Sequence, residues 1–195
     1  MQLIGLHCKP NFYYIGSVSG LFVYFYSVIT IPMHYKNDTI IIREFTPEEF
    51  PLFSTLFENE NVTRYLPYKT AEEYKEMFDK AVADYETGPF SRWGIFNTRN
   101  NDFVGMCLAR IFLDNPDQLE IGYTLGDNYW GKGLGTKVCK ALVDYCLSLN
   151  HHKDIVAVTD LDNIGSQKVL LNNNFKRIEN LKREDRELAY FILQK

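Results

Sequence analysis

The chain has 195 residues, 46% apolar and 24% charged, with a formal net charge of −4. That length suits one domain with a full hydrophobic core. The balance is soluble and globular, and the absence of a basic stripe argues against a nucleic-acid groove. The aromatic share of 15% predicts a core rich in rings.

Residues 12–32 (FYYIGSVSGLFVYFYSVITIP) hold no charged side chain. A stretch of about 20 apolar residues is long enough to cross a bilayer, but the β-branched and aromatic content suits a strand equally well. Three readings stay open. Met33 is the true start, the segment is a membrane anchor, or it packs on the domain as extra structure. Division at this point leaves 1–32 as an apolar extension and 33–195 as the main domain. Membrane contact is expected only if the extension is real and inserted.

Ile40–Arg43 reads as a short strand. Thr46-Pro47-Glu48-Glu49 follows with an N-cap, a proline at the first helical position and a capping-box glutamate. The helix it opens carries Phe50, Phe53, Leu56 and Phe57 on one face, and Pro51 makes its first turns irregular. Thr70-Ala71-Glu72-Glu73 repeats the capping box, and Tyr74, Met77, Phe78, Ala81 and Tyr85 recur at helical spacing. Strands are predicted at Ser91–Asn97, Phe103–Phe112 and Gln118–Leu125, joined by turns at 99–102 and 115–117. They form an antiparallel meander. Helix Leu134–Leu149, strand Asp154–Val158, helix Asn163–Asn172 and strands Phe175–Glu179 and Glu187–Leu193 complete the chain.

The four cysteines are Cys8, Cys107, Cys139 and Cys146. No CxxC pair and no Cys/His spacing suits zinc, so no metal is expected. Cys139 and Cys146 lie two turns apart on one predicted helix, too far for a disulfide. All read as small buried hydrophobes in a reducing compartment.

The segment YWGKGLGTKVCKAL (129–142) sets three glycines ahead of an amphipathic helix. A helix start offers unpaired N–H groups and the positive end of a dipole, and glycines let an anion approach the backbone. Gly131, Lys132, Gly133, Leu134, Gly135 and Thr136 therefore read as a phosphate cradle, with Lys132 adding charge. The P-loop pattern GxxxxGK[ST] is absent. The dinucleotide fingerprint requires a parallel βαβ unit, which the meander excludes. A plain strand-to-helix turn is the alternative.

Downstream the chain reads NIGSQKVLLNNNFKR from Asn163. With this segment the sequence resembles the GNAT superfamily of acetyl-CoA-dependent N-acetyltransferases. Trp130–Gly135 matches that family's Q/R-x-x-G-x-G/A signature, with Trp130 in place of Gln or Arg. Asn163, Ser166, Val169, Leu170 and Phe175 match its N-x-x-S…V-L…G-F pattern. The YWGKG loop and LEIGYTL at 119–125 are similar to the branch of ribosomal-protein N-terminal acetyltransferases. Asn174 stands where the family has glycine, and asparagine tolerates the left-handed backbone that position implies. The resemblance covers roughly 33–195.

It implies a mixed α+β GNAT fold, with a central, mostly antiparallel sheet splayed between the fourth and fifth strands and flanked by helices. Acetyl-CoA would be the co-substrate. Its pantetheine arm would pair with the backbone along Tyr123, Thr124 and Leu125, its pyrophosphate would sit on 131–136, and Asn163 would bond the arm from the far side. The chemistry needs a base for the amine, a backbone donor near Leu125 for the developing oxyanion, and help for the departing thiolate. Ser166 is the candidate for the thiolate, its plainer reading being helix capping. Glu120 is the candidate base, its plainer reading being a solvated strand residue. Tyr123 is a possible water-linked relay. Cys107 is a weak nucleophile candidate, and His151 and His152 read as a solvated helix cap. The expected acceptor is a protein N-terminal α-amine, then a small amine such as a polyamine or an aminoglycoside-like compound. A non-catalytic acyl-CoA-binding module is the second class. A cytoplasmic location is expected, and a homodimer stays open.

Overall fold

The computed structural model describes residues 35–149, 153–183 and 186–194. The expectations for residues 1–32, Cys8, His151 and His152 lie outside the described residues. Nine strands form one sheet: β1 (Tyr35–Lys36), β2 (Ile40–Arg43), β3 (Ser91–Asn97), β4 (Phe103–Ile111), β5 (Gln118–Leu125), β6 (Asp154–Asp160), β7 (Lys176–Arg177), β8 (Leu181–Arg183) and β9 (Arg186–Leu193). Their order is β1-β2-β3-β4-β5-β6-β9-β7, with β8 also paired to β9. Every pairing is antiparallel except β5 with β6. The mixed α+β architecture is therefore as expected.

The helices are α1 (Phe50–Thr55), α2 (Glu60–Thr63), α3 (Ala71–Asp84), α4 (Leu134–Ser148) and α5 (Ile164–Asn172). A 3₁₀ turn at Pro47–Glu49 leads into α1, as the prolines at 47 and 51 require. Both predicted capping glutamates turn back as expected. Glu49 accepts from the Thr46 amide at 2.9 Å, and Glu73 from the Thr70 amide at 2.7 Å. Three short elements escaped the pattern: β1, α2 and β8.

One sheet face carries α1–α3. Phe45 lies 5.4–6.4 Å between ring centroids from Phe53, Phe78, Phe96 and Phe103. Such aromatic pairs each contribute about 0.5–1.5 kcal/mol beyond burial, and here they fix α1 and α3 against β3 and β4. The other face carries α4, whose Val138, Cys139, Leu142 and Cys146 join Trp93, Ile95, Leu119 and Ile121 in the main core. Alternation along β5 thus sends Leu119, Ile121 and Tyr123 toward α4, and Glu120 and Thr124 toward the α1–α3 side.

The parallel pairing of β5 with β6 runs only from Gln118↔Asp154 to Glu120↔Val156. Beyond it β5 stays with β4 as far as Gly105↔Leu125, and β6 stays with β9 as far as Asp160↔Leu188. The sheet therefore opens into a V between these two strands. They are the fourth and fifth of the expected fold, once the two-residue β1 is set aside.

Candidate active site

The edge of the V offers backbone groups. At one end of the β4–β5 ladder Phe112 N–H donates to Gln118 O, and just past the other end Gly126 N–H donates to Val104 O. Antiparallel bonding alternates along a strand, so the even residues of β5 bond β4. The amides and carbonyls of Ile121, Tyr123 and Leu125 then face the gap. Trp130 Nε1 donates to Leu125 O at 2.8 Å. This explains the departure at 130: the indole ties the glycine loop to the strand end. A carbonyl has a second lone pair, and the Leu125 N–H is untouched by that bond.

The cradle lies beside this strand end. Gly131 and Gly133 have φ of +70° and +72°, and a Cβ at either would meet nothing within 4 Å. Gly133 is the N-cap of α4 and makes no side-chain cap bond; the first helical bond is Lys137 N–H to Gly133 O. Among the described residues the amides of 131–136 donate to no protein acceptor. A row of free donors at the start of a 15-residue helix, open on its outer side, fits a phosphate group. Lys132 is exposed and rests over the Tyr129 ring at 5.7 Å.

Tyr123 packs beneath this loop. A Cβ on Gly135 would stand 3.4 Å from its hydroxyl and 3.3 Å from Val169 Cγ2. Burial raises the Tyr123 pKa, and the nearby Ser166 hydroxyl offsets that in part. Tyr123 Oη nevertheless lacks a hydrogen-bond partner meeting normal geometry. The capping reading of Ser166 is corrected by α5 itself. Asn163 is the N-cap, and its Oδ1 accepts from the Ser166 amide at 3.1 Å. The cap therefore uses the Asn163 side-chain oxygen and the Ser166 amide, and leaves the Asn163 amide nitrogen and the Ser166 hydroxyl outside it. Asn174 has φ +65°, the left-handed conformation expected of it.

Glu120 lies on the opposite face, at the closed end of the V. It is 6% exposed, so it is not a solvated strand residue. Arg110, directly across on β4, donates from Nε to Glu120 Oε2 at 2.7 Å, and its Nη2 lies 2.7 Å from the same oxygen as an ion pair. Oε1 accepts nothing from the described residues. Sequence reasoning named Glu120 as a candidate and did not name its partner Arg110.

The mouth of the V on this face is strapped. Asn61 Nδ2 donates to Asp127 Oδ2 at 2.9 Å beyond β5, and Arg64 lies over the Tyr65 and Trp130 rings at 4.6 and 5.9 Å. On the other lip Arg186 Nη2 donates to Tyr65 O at 3.1 Å and to Asp160 Oδ2 at 2.8 Å. Residues 61–65 thus bridge both lips.

Cys107, Cys139 and Cys146 are buried and free. Burial alone pushes the Cys139 and Cys146 thiols up to about 12 and raises Cys107 further. A buried thiol of that kind is a poor nucleophile. Among the described residues no three His, Cys, Asp or Glu side chains gather as metal ligands. No helix among them is long and apolar enough to cross a membrane.

Residues 39–176 match the family described as the acetyltransferase (GNAT) domain. An uncharacterised N-acetyltransferase of Bacillus subtilis, YoaA, is 26% identical over 145 residues, covering 73% of this chain and 82% of the relative. Among solved structures, a GNAT-family acetyltransferase from Bacillus anthracis superposes with a TM-score of 0.70 at 18% identity, covering 83% of this chain and 98% of that one. A ribosomal-protein alanine acetyltransferase from Vibrio fischeri gives 0.70 at 15% identity, with 83% and 96% covered. An acetyl transferase from Salmonella typhimurium that modifies the N-terminal serine of a 50S ribosomal subunit protein gives 0.69 at 18% identity, with 82% and 96% covered. At these identities the structural likeness speaks for the fold.

Proposed function

The chain belongs to the GNAT acetyltransferase family, and from that premise we propose that it moves an acetyl group from acetyl-CoA to a primary amine, by direct attack within a ternary complex, in the cytoplasm. The catalytic domain in this reading is 33–195, with residues 1–32 outside it. The favoured acceptor is a protein N-terminal α-amine. The likeness to the Vibrio and Salmonella ribosomal-protein enzymes supports that choice.

One observation carries the reading: the unpaired edge of β5 runs straight into an open row of helix-start amides. A ligand with a hydrogen-bonding arm and a diphosphate fits both parts at once. Acetyl-CoA supplies an activated acyl thioester; the rest is done by the protein. The amides of 131–136 and Lys132 hold the diphosphate, Tyr123 and Leu125 present backbone groups to the arm, with Thr124 between them, and Asn163 Nδ2 reaches it from α5. Glu120 Oε1 accepts the proton of the amine, held in place through Oε2 by Arg110. The Leu125 N–H faces the region where negative charge develops on the acyl oxygen. The Ser166 hydroxyl donates a hydrogen bond to the leaving sulfur, which needs only modest help because a thiol has a pKa of about 8.5.

Release of coenzyme A, assayed against N-terminal peptides and small amines side by side, tests the proposal. Binding of acetyl-CoA with no release on any acceptor would leave a binding module in place of an enzyme. Two variants probe the parts. Gly133→Ala adds a Cβ that meets nothing, so its cost is backbone strain alone, about 1–2 kcal/mol for a left-handed non-glycine residue. The unliganded loop of the variant is expected to relax out of the left-handed conformation, so acetyl-CoA must restore it on binding, and affinity by calorimetry falls roughly tenfold, since about 1.4 kcal/mol is a factor of ten. Ser166→Ala is expected to lower kcat by up to about tenfold, the worth of one hydrogen bond, with acetyl-CoA affinity unchanged. Full turnover would remove Ser166 from the mechanism.

A further inference from the structure

Glu120 is not alone on its face of the sheet. Arg92 of β3 stands opposite Leu108 of β4, which places it diagonally next to Arg110, and Arg110 stands opposite Glu120. Diagonal neighbours lie about 7–8 Å apart, within reach of long side chains. A row of two guanidiniums and one carboxylate therefore runs across β3, β4 and β5 to the closed end of the V.

The charges in this row do not cancel. The single carboxylate is taken by Arg110 through Nε and Nη2. Arg92 Nε is buried with no hydrogen-bond partner. The Asp84 carboxylate on α3, also within electrostatic range of Arg92, is held by Lys80 at 3.0 Å. Burial and the neighbouring Arg110 lower the Arg92 pKa, and the Asp84 and Glu120 carboxylates offset this only in part. Buried donors of this kind are rare without a partner, and a guanidinium fork matches a carboxylate. Arg110 keeps Nη1 free of Glu120, and its side chain is 31% exposed, so the row reaches solvent.

We propose that Arg92 and Nη1 of Arg110 form a carboxylate-binding subsite beside Glu120, which makes the preferred acceptor a peptide with Asp or Glu close behind its N-terminal amine. The proposal rests on the acetyltransferase reading and adds an acceptor class to it. An extended chain advances about 3.3–3.6 Å per residue, so the spacing of the row places the acidic side chain at the second or third residue. A second ammonium in that position meets two like charges, so polyamines are poor acceptors.

The test uses short peptides with a common N-terminal serine and Asp, Asn or Lys at the third residue, read as kcat/KM at saturating acetyl-CoA. The Asp peptide is expected to exceed the Asn peptide by about tenfold, the worth of one charge-assisted contact, with the Lys peptide lowest. Raising ionic strength is expected to narrow the range, and Arg92→Gln to bring the Asp/Asn ratio to near one. If that variant does not fold, the wild-type ratio and its salt dependence decide alone. Equal rates on the three peptides overturn the subsite and leave the acetyltransferase reading intact. No turnover on any peptide or amine, with acetyl-CoA bound, overturns both.

Discussion

Glu120→Gln is expected to lower kcat by roughly 10²–10⁴-fold at neutral pH, the range for loss of a positioned general base. The amide keeps the shape of the side chain and an oxygen for Arg110 to donate to, and Arg110 is exposed enough to satisfy the rest with water. Folding should therefore survive. Acetyl-CoA affinity should be unchanged, because its cradle is built from the other side of β5. The pH dependence separates a lost base from general damage. Without Glu120 only amine already deprotonated in solution can react. The rate of the variant should then climb with pH toward the free α-amine pKa of about 7.7–8.0 and level off above it. Wild-type kcat at neutral pH in the variant would remove Glu120 from the mechanism.

The second large effect concerns a residue that touches no substrate. Gly105 sits opposite Leu125, at a point where the β3–β4 register shifts. A Cβ there would lie 2.1 Å from Thr124 O and 2.8 Å from Leu125 Cα, and the φ of +152° is one that side-chain-bearing residues rarely adopt. Both obstructing atoms are backbone, so no rotamer change relieves the clash. Gly105→Ala is expected to destabilise the fold by about 3 kcal/mol or more, seen as a lower urea midpoint. What folds should bind acetyl-CoA weakly, since Thr124 and Leu125 must move toward the gap. Gly122→Ala on the same strand is the control. Its Cβ would meet Leu108 Cγ at an ordinary 3.5 Å, and a small effect is expected. Equal stability of the two variants would show that the close approach at Gly105 is not rigid.

Much of this architecture can be read from local signals. Strands β3 and β5 and the start of α4 follow from alternation and from the glycine loop, because each element carries its own boundary chemistry. Thr70 and Asn163 sit at helix starts that their side chains cap. The four residues of α2 are too few to nucleate alone, and the Asn59 cap together with tertiary ties through Asn61, Val62 and Arg64 holds them. Strands β1 and β8 are short pieces whose partners are chosen by the rest of the sheet. The Arg110–Glu120 pair was illegible for a sharper reason. A turn centred on Pro116 would set Glu120 against Phe112, whereas the observed register is centred one residue earlier and sets it against Arg110. A shift of the centre by one residue changes every cross-strand partner. The surplus cation at Arg92 depends on the same register.

The bridge of residues 61–65 lies with α2 on the α1–α3 side, while the glycine loop opens α4 on the reverse side. In the proposed reaction the two co-substrates therefore have separate doors, one through each face of the sheet. Neither has to leave for the other to enter, so double-reciprocal initial-rate plots should intersect and not run parallel, and each product should compete with its own precursor.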